Sequence, residues 1–114
     1  MPRHIVCLTF DFDTMSGFIA RGMTTPTQLS RGEFGMLGAT RILALLKARG
    51  ISATWFVPGF TIATYPRESA AVVAGGHEIA HHSWAHVPPA NQNRAEEEAD
   101  LVRANEAILH LSGA

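Results

Sequence analysis

Four residues in this chain have the types and spacing to do chemistry. Asp11 and Asp13 end an apolar run, Leu8-Thr9-Phe10-Asp11-Phe12-Asp13, and about seventy positions later His82 and His86 close the segment His82-Ser83-Trp84-Ala85-His86. Two imidazoles and one carboxylate supply three ligands to a divalent metal and leave an open position for water, the ligand count of a catalytic zinc site. A second carboxylate beside that water would serve as its base. Side chains alternate along a strand, so Asp11 and Asp13 at i and i+2 project to one side. Two like charges held so close call for a cation between them. Taken alone the acid pair is a weak pattern, equally readable as a turn cap and a solvated carboxylate. The histidine pair is more specific, because a turn at Ser83 directly after a strand would aim both rings at one centre.

The other polar residues have plainer readings. His77 and His81 alternate with His82 and should face the opposite side, where packing or hydrogen bonding accounts for them. His4 and His110 have no evident partner. Trp84 reads equally as the wall of a pocket or as a packing residue. Glu96, Glu97, Glu98 and Asp100 suit the first turns of a helix by their sign against its dipole and otherwise read as a solvated face.

Positioning the four residues requires alternating strands and helices. Ile5–Phe10 is a continuous apolar run, predicted as a strand buried on both faces. Residues 14–35, rich in Thr, Ser and Gly, read as a long loop of the kind that often carries function. Met36–Arg49 has helical spacing, with Leu37, Ile42, Leu45 and Leu46 on or near one face and Gly50 just past its end. Ile51–Val57 reads as a second strand, stopped by Pro58-Gly59. Pro66–Ala74 reads as a short helix with Pro66 in its first turn, and His77 to His81 or His82 as a third strand. A final helix spans residues 93–111, with Asn93 as its cap, Glu96 three residues on and Gly113 beyond its end. The order β-α-β-α-β-α implies an α/β fold with a parallel sheet and helical crossovers. Three strands leave two sheet edges and a modest core, so the architecture looks incomplete.

Composition narrows the functional classes. The chain has 114 residues, 46% of them hydrophobic and 17% charged, and a net charge of −1. That balance suits one globular domain and argues against nucleic acid or an anionic membrane surface as the main partner. The N-terminal apolar run is too short for a signal sequence or a membrane span. Cys7 is the single cysteine, so no intrachain disulfide forms, and its apolar neighbours predict a small buried hydrophobe. A cytoplasmic location is expected.

A family resemblance rests on these same segments. Thr9-Phe10-Asp11-Phe12-Asp13 and His82-Ser83-Trp84-Ala85-His86 resemble the first two motifs of the polysaccharide deacetylase family (NodB homology, carbohydrate esterase 4). Ser30-Arg31-Gly32-Glu33-Phe34-Gly35, Ala53-Thr54-Trp55-Phe56-Val57-Pro58-Gly59 and Gly76-His77-Glu78-Ile79 are similar to its allantoinase-like and peptidoglycan-deacetylase-like branch. The resemblance implies the N-terminal portion of a distorted (β/α) barrel, with residues 1–114 forming a partial domain. It implies a divalent metal, zinc foremost, held by Asp13, His82 and His86, with Asp11 as general base toward the water. Cobalt, manganese and iron also suit two His and one Asp. More familiar members have two adjacent acids where Phe12 here separates Asp11 from Asp13.

The implied reaction is hydrolysis of a non-peptide C–N bond, either deacetylation of an N-acetylated sugar or opening of a related amide. The partner would be a carbohydrate or small molecule bearing that amide. Later family motifs, including an Arg that orients the base and a late His acting as acid, would lie beyond Ala114. General acid help is worth about 10²–10⁴-fold, so the chain by itself is expected to bind metal and turn over poorly.

Two other readings compete. Asp11-Phe12-Asp13-Thr14-Met15 also fits the D-x-D-x-T pattern of haloacid-dehalogenase-type phosphatases, with Asp11 as nucleophile and Mg²⁺ as the ion. That leaves His82 and His86 without a role. The second is a non-catalytic, metal-binding half-domain whose free sheet edges pair with another copy, making a homo-oligomer.

Overall fold

The computed structural model describes residues 3–114. Three short strands, β1 (Thr9–Asp11), β2 (Thr54–Val57) and β3 (Glu78–His81), pair in parallel in the order β1-β2-β3. Between β1 and β2 lie helices α1 (Ser16–Ala20) and α2 (Pro26–Arg49); between β2 and β3 lie α3 (Gly59–Thr64) and α4 (Pro66–Ala74). A 3₁₀ turn at Pro89–Asn91 leads into α5 (Arg94–Ser112). Strands adjacent in both sequence and space, each joined by a helical crossover of one hand, keep their helices on one face of the sheet. The strands thus form an arc of a barrel wall, with α5 packed on α3, α4 and β3.

Alternation sorts the strand residues. Trp55 and Val57 are buried beneath the helices, with Phe10 and Ile79 packed beside them, whereas Thr9, Asp11 and Glu78 stand on the open face. The core under the helices is Phe12, Ala39, Leu46, Ala53, Trp55, Val57, Ile62, Val72 and Ile108. Phe10 and Phe12 each pack on Trp55, at centroid distances of 4.8 and 6.0 Å.

Several sequence expectations hold. Gly50 ends α2 in the left-handed conformation (φ 64°), and α4 occupies the residues expected of it. At α5, Asn93 and Glu96 form a reciprocal capping box and Gly113 (φ 75°) closes the helix.

Others are corrected. The first strand is not Ile5–Phe10 but Thr9–Asp11, and Ile5 and Val6 are 78% and 80% exposed. With nothing among the described residues packed over that edge, their β-branched character has no layer to bury it. Cys7 lies in the same stretch and is exposed, contrary to the buried hydrophobe expected. Residues 14–35 are not one loop. Thr25 and Pro26 start α2 ten residues earlier than its apolar spacing suggests, Pro26 occupying the first turn, where a missing N–H is harmless. Within α2, Gly32, Ala39 and Leu46, seven apart, form the buried line, while Leu37 and Leu45 are exposed. The small residues carry little hydrophobic signal, so periodicity found Ile42 and Leu46, which do pack on the core, but missed Gly32 and Ala39 and included the exposed Leu37 and Leu45.

Accessible surface totals 7585 Å². A compact monomer of 12.3 kDa exposes about 6,100 Å² by the usual mass scaling. Exposed apolar side chains, among them Leu8, Phe34, Leu45 and Leu109, contribute part of the excess of roughly 1,500 Å².

Candidate metal centre

Parallel register explains how residues seventy positions apart meet. Asp11 pairs with Phe56, and Phe56 with Ala80, so these three form one row across the sheet. Two residues further along each chain, on the same face, come Asp13 and His82. They emerge beyond the C-terminal ends of the strands, where parallel α/β folds gather their chemistry.

The geometry there is tight. His82 Nε2 lies 3.1 Å from Asp13 Oδ1 and 3.8 Å from Asp11 Oδ2, and His86 Nε2 lies 3.5 Å from Asp13 Oδ2. One ligand atom from each of Asp13, His82 and His86 falls within 4.8 Å of the others, and the two imidazoles meet edge to face at a centroid distance of 4.9 Å. Asp13 Oδ1 and His82 Nε2 are both buried, yet neither makes a hydrogen bond. Two unpartnered buried lone-pair atoms 3.1 Å apart are costly unless something positive lies between them. A tetrahedral zinc with bonds of about 2.0–2.1 Å sets its ligand atoms about 3.3 Å apart. The observed separations fit that ion. Asp11, whose side chain is 60% exposed, stands at the rim on the same face.

The backbone bends sharply at each ligand. Among the described residues, the non-glycine positions with positive φ are Thr14 (50°), Ser83 (59°) and His86 (60°). One follows Asp13, one follows His82, and the third is a candidate ligand itself. Each costs about 1–2 kcal/mol relative to ordinary backbone. The turn expected at Ser83 is therefore present, in left-handed form.

Hydrogen bonds hold these bends. The Asp13 carbonyl accepts from the hydroxyls of Thr14 (2.7 Å), Ser16 (2.8 Å) and Thr61 (3.0 Å) and from the Ser16 amide (3.1 Å). The His86 amide donates to Ser83 Oγ at 2.9 Å. From the first turn of α3, the amides of Gly59 and Phe60 donate to the carbonyls of Ser83 (3.0 Å) and Trp84 (2.7 Å). In the sequence Thr14 and Ser16 stood only within the loop expected over residues 14–35, and Thr61, 48 positions from Asp13, carried no signal.

The remaining histidines behave as expected. His77 Nδ1 accepts from the Ala53 amide at 3.0 Å, and His81 bridges the Ser83 amide and the Leu101 carbonyl. Both are structural. His4 and His110 are exposed. Trp84 packs and does not wall the pocket beside the acids: its ring lies against Gly59 and under the Arg103 guanidinium, 3.6 Å from the ring centroid. Asp100 departs from the solvated face expected of it, since its Oδ2 accepts from the Trp84 amide at 3.0 Å. A pocket of about 340 Å³ adjoins the acids, bounded by Asp11, Asp13, Phe18, Arg31 and Trp55.

The family model for polysaccharide deacetylases matches residues 1–114. The chain belongs to the polysaccharide deacetylase family. It is 34% identical over 112 residues to the peptidoglycan deacetylase of Helicobacter pylori, an alignment covering 96% of this chain and 38% of that protein. The structure of a family 4 carbohydrate esterase from Bacillus anthracis is similar, with a TM-score of 0.70 and 26% identity, over 95% of this chain and 42% of that one. The allantoinase PuuE shares the fold, with a TM-score of 0.84 at 23% identity over 94% of this chain and 42% of that one. This chain thus spans about two fifths of the length of such relatives, and its arc of strands and helices is part of their barrel-like domain. The phosphatase alternative finds no support: His82 and His86, which it leaves idle, converge on Asp13, and the family model matched is that of polysaccharide deacetylases.

Proposed function

We propose that this chain carries the metal-binding portion of a deacetylase that hydrolyses the amide of an N-acetylated sugar, with a peptidoglycan-type glycan as the first candidate substrate. Asp13, His82 and His86 would hold one divalent ion, zinc by the donor set. The observation that carries this reading is the pair of buried, unpartnered atoms, Asp13 Oδ1 and His82 Nε2, converging with His86 in a chain of this family. The name of the Helicobacter pylori relative supports the choice of substrate class.

A divalent ion held there supplies Lewis acidity toward the amide oxygen and makes a water easier to deprotonate. Asp11 would accept that proton as the water oxygen attacks the acyl carbon; the C–N bond then breaks to give acetate, and the proton taken by Asp11 balances the one the departing amine takes up. Its exposure lets substrate and water reach it, and its place one strand step before Asp13 sets it beside the ligands without making it one. Asp13 and the two imidazoles act as fixed donors. The hydroxyls of Thr14, Ser16 and Thr61 on the Asp13 carbonyl limit how far that carboxylate can drift.

Elemental analysis of the purified chain tests the reading without any choice of substrate. About one zinc per chain is expected, falling to near zero in His82→Ala. Equal metal content in both proteins would remove the basis of the proposal.

A further inference from the structure

We infer that Asp100 and Arg103, on the face of α5 turned toward the site, are positioning residues that set the place of His82 and His86 by holding Trp84 against α3; the inference rests on the metal reading above. Trp84 lies midway between the two histidines, in a segment with left-handed backbone at Ser83 and at His86. Such a segment relaxes toward ordinary backbone unless something outside it holds it. The segment and the strand residue just before it supply two restraints, the bond from the His86 amide to Ser83 Oγ and that from the Ser83 amide to His81 Nδ1. The others come from two separate helices.

On one side is α3, which donates the Gly59 and Phe60 amides to the carbonyls of Ser83 and Trp84. The absence of a side chain at Gly59 admits the indole, since a Cβ there would lie 2.3 Å from Trp84 Cε3. On the other side is α5. Asp100 Oδ2 accepts the Trp84 amide at 3.0 Å, and the Arg103 guanidinium covers the ring at 3.6 Å from its centroid. Asp100 and Arg103 are three apart, so they share one face of the helix. That helix is anchored independently by burial of Ala104 and Ile108 and by its capping box. The clamp therefore refers the histidine segment to the core. Neither residue touches the candidate ion: their effect would pass through Trp84 to the ring directions of His82 and His86.

Zinc titration of the apo chain by calorimetry, with thermal unfolding of the same apo samples, tests this. Groups that orient metal ligands typically change affinity 10–100-fold when removed. Asp100→Ala is expected to weaken Zn²⁺ binding about tenfold or more, whereas Asp100→Asn, which keeps a carbonyl oxygen to accept the Trp84 amide, should stay within about threefold of the parent. Arg103→Ala should weaken binding by about tenfold while leaving the amide bond in place. A merely structural role would lower the apo melting temperature of Asp100→Ala and leave the affinity of the folded protein unchanged. Parent-like Zn²⁺ affinity in folded Asp100→Ala overturns the proposal. Should that variant fail to fold, parent-like affinity in Arg103→Ala does the same. Failure of the parent chain itself to bind Zn²⁺ would sink the metal reading, and is a different outcome from tight binding unaltered by these substitutions.

Discussion

Replacing Gly32 by alanine sets two physical effects against each other. Gly32 lies inside α2, where alanine is favoured over glycine by about 1 kcal/mol. By helix propensity alone the variant should be more stable. Its Cβ, however, would sit 2.5 Å from Met15 Cα, 2.7 Å from Met15 Cβ and 2.8 Å from the Met15 nitrogen. Carbon atoms in contact settle about 3.5–4.0 Å apart, so α2 and the turn at Met15 must separate by about 1 Å. These are backbone atoms and the first side-chain carbon, and no rotamer change moves them. Overpacking of this kind costs about 1–3 kcal/mol.

Gly38 is the control, because it lies in the same helix and a Cβ there would meet nothing within 4 Å. Gly38→Ala should show the propensity gain alone, and the difference between the two variants isolates the clash. With an unfolding entropy of about 2.1 cal/mol/K per residue, 1 kcal/mol moves the midpoint of a chain this long by about 4 °C. Gly32→Ala should therefore melt about 4–13 °C below Gly38→Ala in thermal unfolding followed by circular dichroism. It should also bind Zn²⁺ more weakly, since Met15 belongs to the turn whose first residue is Asp13, whereas Gly38→Ala should bind like the parent. If Gly32→Ala melts level with Gly38→Ala or above it, the close approach of α2 to the metal-binding turn is wrong, and so is the account of what holds Asp13.

Two further outcomes bear on the function. Asp11→Asn should keep its zinc, because Asp11 is assigned no ligand role, and lose about 10²–10⁴-fold in the rate of acetate release from an N-acetylated chito-oligosaccharide. The parent rate is itself expected to be low, for lack of an assigned acid at the leaving amine, so single-turnover assays at high protein concentration are the suitable measurement. Loss of zinc in Asp11→Asn would make it a ligand instead of a base. The roughly 1,500 Å² of surplus surface and the apolar exposure at Ile5, Val6 and Leu8 lead us to expect reversible self-association of the chain in solution. Light scattering across a hundredfold range of concentration should show a rising mean mass, and a constant monomer mass would count against it.

What could be read from the sequence was what acts locally or by residue type. The helix at α5 was legible because its cap, its N3 glutamate and its terminal glycine lie within the segment they define. Asp11, Asp13, His82 and His86 were legible because an acid pair and a spaced histidine pair, each following a strand, together make a metal-ligand set that neither makes alone. The length of α2 was hidden because its buried line runs through Gly32 and Ala39, which look like nothing in a hydrophobic pattern. The exposed Ile5–Leu8 stretch misled for the opposite reason: its residue types promise burial, but burial needs a neighbour, and none packs there among the described residues.

The supports of the site were the least legible, and for a reason that applies beyond this chain. Three non-glycine residues in left-handed backbone surround the candidate ion, and no local preference of Thr14, Ser83 or His86 favours that geometry. Beside the local bonds at each turn, what holds them comes from elsewhere: Thr61 from α3, the first-turn amides of α3, and Asp100 with Arg103 from α5. Each of those partners reads as ordinary in isolation, an apolar-helix threonine, a post-proline glycine and a charged helix face. Their role follows from the crossing of α3 and α5 over the same sheet ends, which is a property of the topology. A motif search finds the ligands; only the assembled crossovers disclose why the ligands stay where they are.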